Sequence, residues 1–334
     1  MEKKKKKKLI IFITLIVSFS IITPLIFVPF SFGTIKIAQV DTGGKATDVI
    51  VKDEIAYVID TADDNPGGLV MINVSKKTHP VVVGTYLGSG TPWAIDVENH
   101  IAYLANYFEG LEIIDVSDPS NPIKIGSYYG SGHCTDVQVN GNIVYIADWS
   151  YGLVILNVSD PSNVKEISHF DITGECYQFD VRTDIACILD HHSSYTGLIL
   201  LNVSDPKNPF EIGKRYLSDV DYWNPFLVEH YVYVGNHAID GGGLHILDFS
   251  SPADIFQVGF YHGGGSVFSA FIKNERAYLA DYEKGLIILD VSNKRNPIKI
   301  AQFFNGGHAY DLFSEDNNAY VADGEHGLEI IEIL

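Results

Sequence analysis

Cysteine is scarce. Cys134, Cys176 and Cys187 are the only three in 334 residues. Their spacing gives neither a disulfide framework nor a zinc ligand set, and at most one bridge with a thiol left over. Basic charge is short as well: 23 Lys and Arg against 42 Asp and Glu give a formal net charge of −19. Six lysines fall within the first eight residues, so the rest of the chain is more acidic still. Such a body repels phosphate backbones, which argues against nucleic acid as a partner. Catalytic signatures are missing too, with no Gly-x-Ser-x-Gly, His-Glu-x-x-His, phosphate-cradling loop or dinucleotide fingerprint. Ser150 beside Trp149 makes no triad by itself, and Glu109, Glu325 and His326 are unspecific acid–base candidates.

What remains is apolar, aromatic and rich in glycine. Apolar residues make up 46%, with 19 Tyr, 18 Phe and 30 Gly. That mixture favours many short strands separated by turns over helices. The N-terminus is different. Six consecutive lysines precede an uncharged, mostly apolar run from Leu9 to Phe32. Its length suits a bilayer-spanning helix, and no Ala-x-Ala cleavage site follows it. We read residues 1–33 as a basic flank plus an uncleaved signal anchor, with a cleaved signal peptide as the alternative. Either way the basic flank stays cytoplasmic and residues 34–334 are exported.

The exported part repeats itself. A Gly-Leu pair recurs at Gly68, Gly110, Gly152, Gly197, Gly243, Gly285 and Gly327, at intervals of 42 to 46 residues. Each unit holds four strand-like segments. Blade after blade reads as "ATDVIV", then "AYVID", then "GLVMINV", then "IKIGSY", each bounded by Gly, Asn, Asp or Pro. The linking phrase "DVSDPSNP" (115–122) is turn chemistry, in which Asp and Ser bond the backbone and Pro fixes φ. A period near 42 with four strands per unit predicts an all-β propeller of four-stranded antiparallel blades. The chain opens on an outer-type strand, Ile35 to Val40, and ends on a third-type strand, "GLEIIEIL". Seven blades therefore close only if the first strand completes the last sheet.

The strands "LVMIN", "LEIID", "LVILN", "LIILD" and "LEIIE", with the "AYVAD"-like strand and the "DPSNP" turn, resemble the LVIVD repeat family. That resemblance covers residues 35–334 and implies a propeller fold and a cell-surface location, with no established reaction. Blade 5 departs most from the pattern, and blade 4 replaces the strand tyrosine with Cys187.

With strands A to D running from axis to rim, the D-to-A and B-to-C loops emerge on one face. That face collects all three tryptophans, and we expect binding there. The binding candidates are Trp93, Trp149, Tyr151, Tyr222 and Trp223, with His133, His191, His192 and His308. Exposed aromatics anchor proteins and sugars, or else plug the channel mouth. Asp48, Asp96, Asp136, Asp180 and Asp311 read as equivalent strand A positions, interrupted by Phe226 and Ala270. They could hold Ca²⁺ or another divalent cation, or each could accept backbone N–H bonds that lock blade to blade. The Asx set Asp60, Asn106, Asp148, Asp190, Asn236, Asp281 and Asp323 reads as turn capping. The tyrosines Tyr57, Tyr103, Tyr145, Tyr233, Tyr278 and Tyr320 read as sheet packing. Asn73, Asn157 and Asn202 open glycosylation sequons but also fill the turn slot. The expected function is a non-catalytic, surface-anchored platform for a protein or glycan partner, without a required cofactor. The alternative is a metal-dependent exported hydrolase or lyase using His133, His308 and the strand A aspartates.

Overall fold

Each strand alternates apolar and polar residues or is apolar throughout, so no sheet can bury its faces alone; it must stack on neighbours. In the computed structural model the described residues are 33–62, 65–130, 133–218, 221–237, 242–304 and 306–334. The membrane anchor expected within residues 1–33 lies almost wholly outside them. Among the described residues, no helix is long and apolar enough to cross a membrane.

The strands form seven separate four-stranded antiparallel sheets, blades 1 to 7, whose strands A are Lys45–Lys52, Ala94–Glu98, Cys134–Asn140, Glu175–Arg182, Asp221–Val228, Val267–Lys273 and Asp311–Glu315 in that order. Blade 1 runs Lys45–Lys52, Ile55–Ala62, Asn65–Asn73 and Val81–Leu87 from strand A to strand D. Blade 7 takes strands A to C from Asp311–Glu315, Asn318–Ala322 and Leu328–Ile333, and its strand D is Thr34–Val40. Thr34 stands opposite Ile333 and Val40 opposite Leu328. The expected closure is therefore met: seven blades, sealed by the first strand.

Hydrophobic clusters lie between blades rather than within them. One joins Val58, Val70 and Ile72 of blade 1 to Tyr320, Leu328 and Ile330 of blade 7. Equivalent clusters fill the other six interfaces. The repeat-wide tyrosines are buried there as expected, Tyr57 at 2% and Tyr320 at 1% exposure. Turn chemistry is also as expected. Ser117 N–H donates to Asp115 Oδ1 at 2.9 Å and Ser120 N–H to Asp118 Oδ1 at 3.0 Å. Asn73, Asn157 and Asn202 accept the same bond from Ser75, Ser159 and Ser204.

Strand A of every blade faces the axis, and its register decides what shares a level in the channel. Asp48, Asp136 and Asp311 stand opposite Ile59, Ala147 and Ala322 of their own strands B. Asp96 and Asp180 stand opposite Tyr103 and Cys187, two residues further along. The five aspartates thus occupy two levels, which corrects the single ring read from sequence. The offset lies in the chain itself: Asp48, Asp136 and Asp311 precede the Asx residue of their blade by 12 positions, Asp96 and Asp180 by 10. Strand A bulges do not sort them, since bulged blade 4 shares its level with unshifted blade 2, and unshifted blade 7 with bulged blades 1 and 3. Phe226 belongs with Asp96 and Asp180, opposite Tyr233. Ser269, not Ala270, belongs with Asp48, opposite Ala280.

Candidate functional site at the channel mouth

The B-to-C turn of each blade is built on its Asx residue. In blade 1 Gly44 N–H donates to Asp60 Oδ2 at 3.0 Å, and in blade 4 Gly174 N–H donates to Asp190 Oδ1 at 2.7 Å. The Asx side chain thus fastens the D-to-A loop onto the B-to-C turn. A Cβ at Gly44, Gly265 or Gly307 would fall 2.1, 2.2 or 2.0 Å from a carboxylate oxygen of Asp60, Asp281 or Asp323. Close approach, not turn conformation alone, requires glycine in those loops.

Fastened this way, the loops present two sets of side chains around the mouth. The inner set sits at the start of strand A and lines a cavity of about 160 Å³: Thr47, Trp93, Thr135, Tyr177, Trp223, Phe268 and Tyr310. The outer set directly follows the Asx residue and includes Tyr107, Trp149, His191, His237 and Tyr282. Rings of the two sets touch in series. Trp93 stacks on Tyr107 at 5.1 Å and 11°, Tyr107 meets Trp149 at 5.7 Å, and Trp149 meets Tyr177 at 5.4 Å. Tyr177 then meets Trp223 at 6.1 Å, Trp223 meets Phe268 at 5.7 Å, and Phe268 meets Tyr310 at 5.9 Å. Six blades, 2 to 7, thereby contribute to one aromatic surface. Trp93 keeps 41% of its area exposed and Phe108, beside Tyr107, keeps 60%.

Next to this surface lies a groove of about 870 Å³ between blades 3 and 4. Trp149, Tyr177 and Trp223 supply its ring faces, and Glu175, Thr173, Ser150, His133 and His192 its polar edges. Tyr177 O–H donates to Glu175 Oε2 at 3.0 Å. The composition is that of a small-ligand site, with apolar walls and a few polar groups.

Most binding candidates from sequence come together here, and two do not. Trp93, Trp149, Trp223, His133 and His191 share the surface. His308 stacks on Tyr282 at 4.2 Å on the blade 6 side, away from His133, which packs on Tyr107 and Trp149. His192 stacks on Tyr195 at the groove's edge. Tyr151 is turned aside, stacked on His169 at 4.1 Å. Tyr222 is core, 5% exposed among Leu217, Leu227 and Leu247. Neither belongs to the mouth: strand alternation sends Tyr222 to the face opposite Trp223. Sequence reading passed over Tyr107, Tyr177, Phe268, Tyr282 and Tyr310. The signal was present, since each directly follows an Asx residue or opens strand A.

Below the mouth the aspartates bond from blade to blade. Asp48 accepts Ile95 N–H at 2.8 Å, Asp96 accepts Val139 N–H at 2.9 Å, and Asp136 accepts Phe179 N–H at 3.0 Å. Asp180 accepts Leu227 N–H at 2.6 Å and Asp311 accepts Val49 N–H at 3.2 Å. The contacts are those of the interblade latch. Burial pushes the Asp136 carboxyl up to about 8, against the two N–H bonds that favour its charge. Burial also raises Asp96 and Asp180, the latter opposed by Arg182 3.1 Å away. The three cysteines are buried and free.

Comparison with solved structures agrees with this architecture. The chain is similar to the WD40 repeats of RRP9, at TM-score 0.68 and 10% identity over 90% of this chain and 97% of that one. It is similar to the WD40 propeller domain of Doa1, at TM-score 0.65 and 12% identity over the same shares. The computationally designed protein Ika8 matches at TM-score 0.60 and 8% identity, over 90% and 99% of the two chains. At these identities the likeness concerns the fold alone. No curated protein matches the sequence. The LVIVD repeat model matches residues 43–88, 89–129, 131–172, 226–262, 264–303 and 306–333. The stretch it skips, 173–225, is blade 4 and the start of blade 5, so blade 4 rather than blade 5 departs most from the pattern. With six matched repeats spread over a ring of seven blades, the chain belongs to the LVIVD repeat family.

Proposed function

We propose that the propeller is a rigid, non-catalytic binding platform, that its aromatic mouth takes a protein or glycan partner, and that residues 1–33 anchor it to the membrane with residues 34–334 outside. The observation that carries the reading is the run of ring contacts from Trp93 to Tyr310, contributed by six blades. Core packing is already satisfied by the interblade clusters, so this surface is surplus to what closure of the ring needs. Aromatic faces offer large contact area at small entropic cost, and they stack on sugars as readily as they seat protein side chains. Placing them at the mouth of a closed ring keeps them in fixed relation, which lowers the ordering cost of binding.

The test is capture from envelope extract and on a glycan array by the full chain, compared with Trp93→Ala and with the triple change Trp93→Ala, Trp149→Ala, Trp223→Ala. The single change should weaken capture and the triple change abolish it, with circular dichroism unchanged. Capture by the triple variant at wild-type level would overturn the reading. Membrane fractionation and protease accessibility of intact cells test the anchor.

A further inference from the structure

We propose that Asp323, His326 and Glu329 form a binding site for one divalent transition-metal ion at the B-to-C turn of blade 7, distinct from the aromatic mouth. Strand B of blade 7 ends at Ala322, and strand C begins at Leu328. Between them the chain turns through Gly324 and Gly327, both at positive φ. The turn folds residues three apart onto one another. His326 Nδ1 lies 3.0 Å from Asp323 Oδ2, and one ligand atom from each of the three residues lies within 4.8 Å of the others. A tetrahedral ion with bonds of roughly 2.0–2.2 Å needs donors separated by about 3.4 Å, so small adjustments bring the set onto a metal. Imidazole with two carboxylates suits Zn²⁺, Co²⁺ or Mn²⁺ better than Ca²⁺.

Access and charge fit as well. Both carboxylates are buried, whereas the His326 side chain is 38% exposed and opens the set to solvent. Lys36, from the closing strand, places Nζ 3.0 Å from Glu329 Oε1 and 2.8 Å from Gln39 Oε1. A buried carboxylate needs a counter-charge, and the ammonium supplies it when no ion is bound. The lysine side chain is 31% exposed, so an incoming cation can displace it into water.

The fold itself does not demand this set. At the Glu329 position other blades carry Val70, Val154, Ile199, His245 and Ile287. Blade 2 repeats the frame as Asn106, Glu109 and Glu112 with Lys124 on Glu112, but it lacks the imidazole. Blade 7 alone combines imidazole with two carboxylates at these three positions.

The experiment is Co²⁺ titration of the chelator-stripped full chain, read by visible d–d absorption and by elemental analysis. One Co²⁺ per chain is expected, with His326→Ala weakening binding at least about tenfold. Lys36→Met should tighten binding several-fold, because the competing ammonium is gone. Circular dichroism controls for folding, and if Lys36→Met does not fold, His326→Ala decides. Absence of stoichiometric Co²⁺, or equal binding by wild type and His326→Ala, would overturn the proposal.

Discussion

The carboxyl groups of Asp48 and Asp311, from the first and last blades, are hydrogen-bonded to each other while each also holds the backbone of the blade that follows it. Asp311 accepts Val49 N–H at 3.2 Å and Asp48 accepts Ile95 N–H at 2.8 Å. Burial first, and then the charge of Asp311 and its hydrogen bond, hold the Asp48 carboxyl well above the usual range. The seam between the two ends of the chain is thus made by strand pairing at the rim and by a hydrogen-bonded carboxyl pair at the axis.

This latch makes stability depend on pH. Asp136 rises from 3.8 to about 8 on folding, so the folded state holds its proton more tightly than the unfolded chain. Its contribution is complete below about pH 4 and is lost as pH rises through about 8. Tm of the wild type should therefore fall between pH 5 and pH 9, and Asp136→Asn should flatten that slope. A steeper or unchanged slope in the variant would contradict the assignment.

Adjacent glycines should behave differently. Gly43 has φ of +96° with nothing within 4 Å of an added Cβ, so Gly43→Ala should cost about 1 kcal/mol through backbone strain. At Gly44 the added Cβ would lie 2.1 Å from Asp60 Oδ1, so Gly44→Ala should cost about 2–3 kcal/mol. Adding Asp60→Ala should recover part of the second loss and none of the first. Denaturant titration of the four variants tests this.

Buried Glu112, 1% exposed, is bonded by Lys124 at 2.6 Å and by Ser89 at 3.1 Å. Removing only the lysine leaves a buried charge with less compensation, so Lys124→Met should cost about 3 kcal/mol. Glu112→Val should be nearly neutral, because Val70 and Val154 fill the same slot in blades 1 and 3. Chemical denaturation compares the two, and equal losses would refute the contrast.

The closing strand can be tested by rewiring. Leu334 N–H bonds Gly33 carbonyl oxygen at 2.9 Å, so a short linker from Leu334 to Gly33 spans almost no distance. A permutant joined there and reopened in the turn at Lys76–His79 should unfold cooperatively within a few degrees of the parent chain. Deleting residues 33–40 instead exposes the edge of strand C in blade 7, and aggregation should follow. Light scattering and calorimetry distinguish the two.

The amino-acid order by itself determined the blade count and the circular closure. Both rest on local grammar: Gly-Leu at a fixed interval, short alternating strands, and Asx-Ser-Asp-Pro turns whose bonds span two residues. It also marked the face, because Trp93, Trp149 and Trp223 sit in loops that leave the sheets on the same side. Only the tertiary structure decided which side chains share a level or a surface. Strand pairing sets Asp48 opposite Ile59 but Asp96 opposite Tyr103, two residues further along, so Asp96 parts from Asp48 although "AIDV" and "ATDV" look alike. Alternation likewise turns Tyr222 into the core beside Trp223 in the mouth. Ring contacts such as Trp93 with Tyr177 join residues 84 positions apart, from blades 2 and 4. Such proximity follows from the curvature of the closed ring, which no local run of residues encodes.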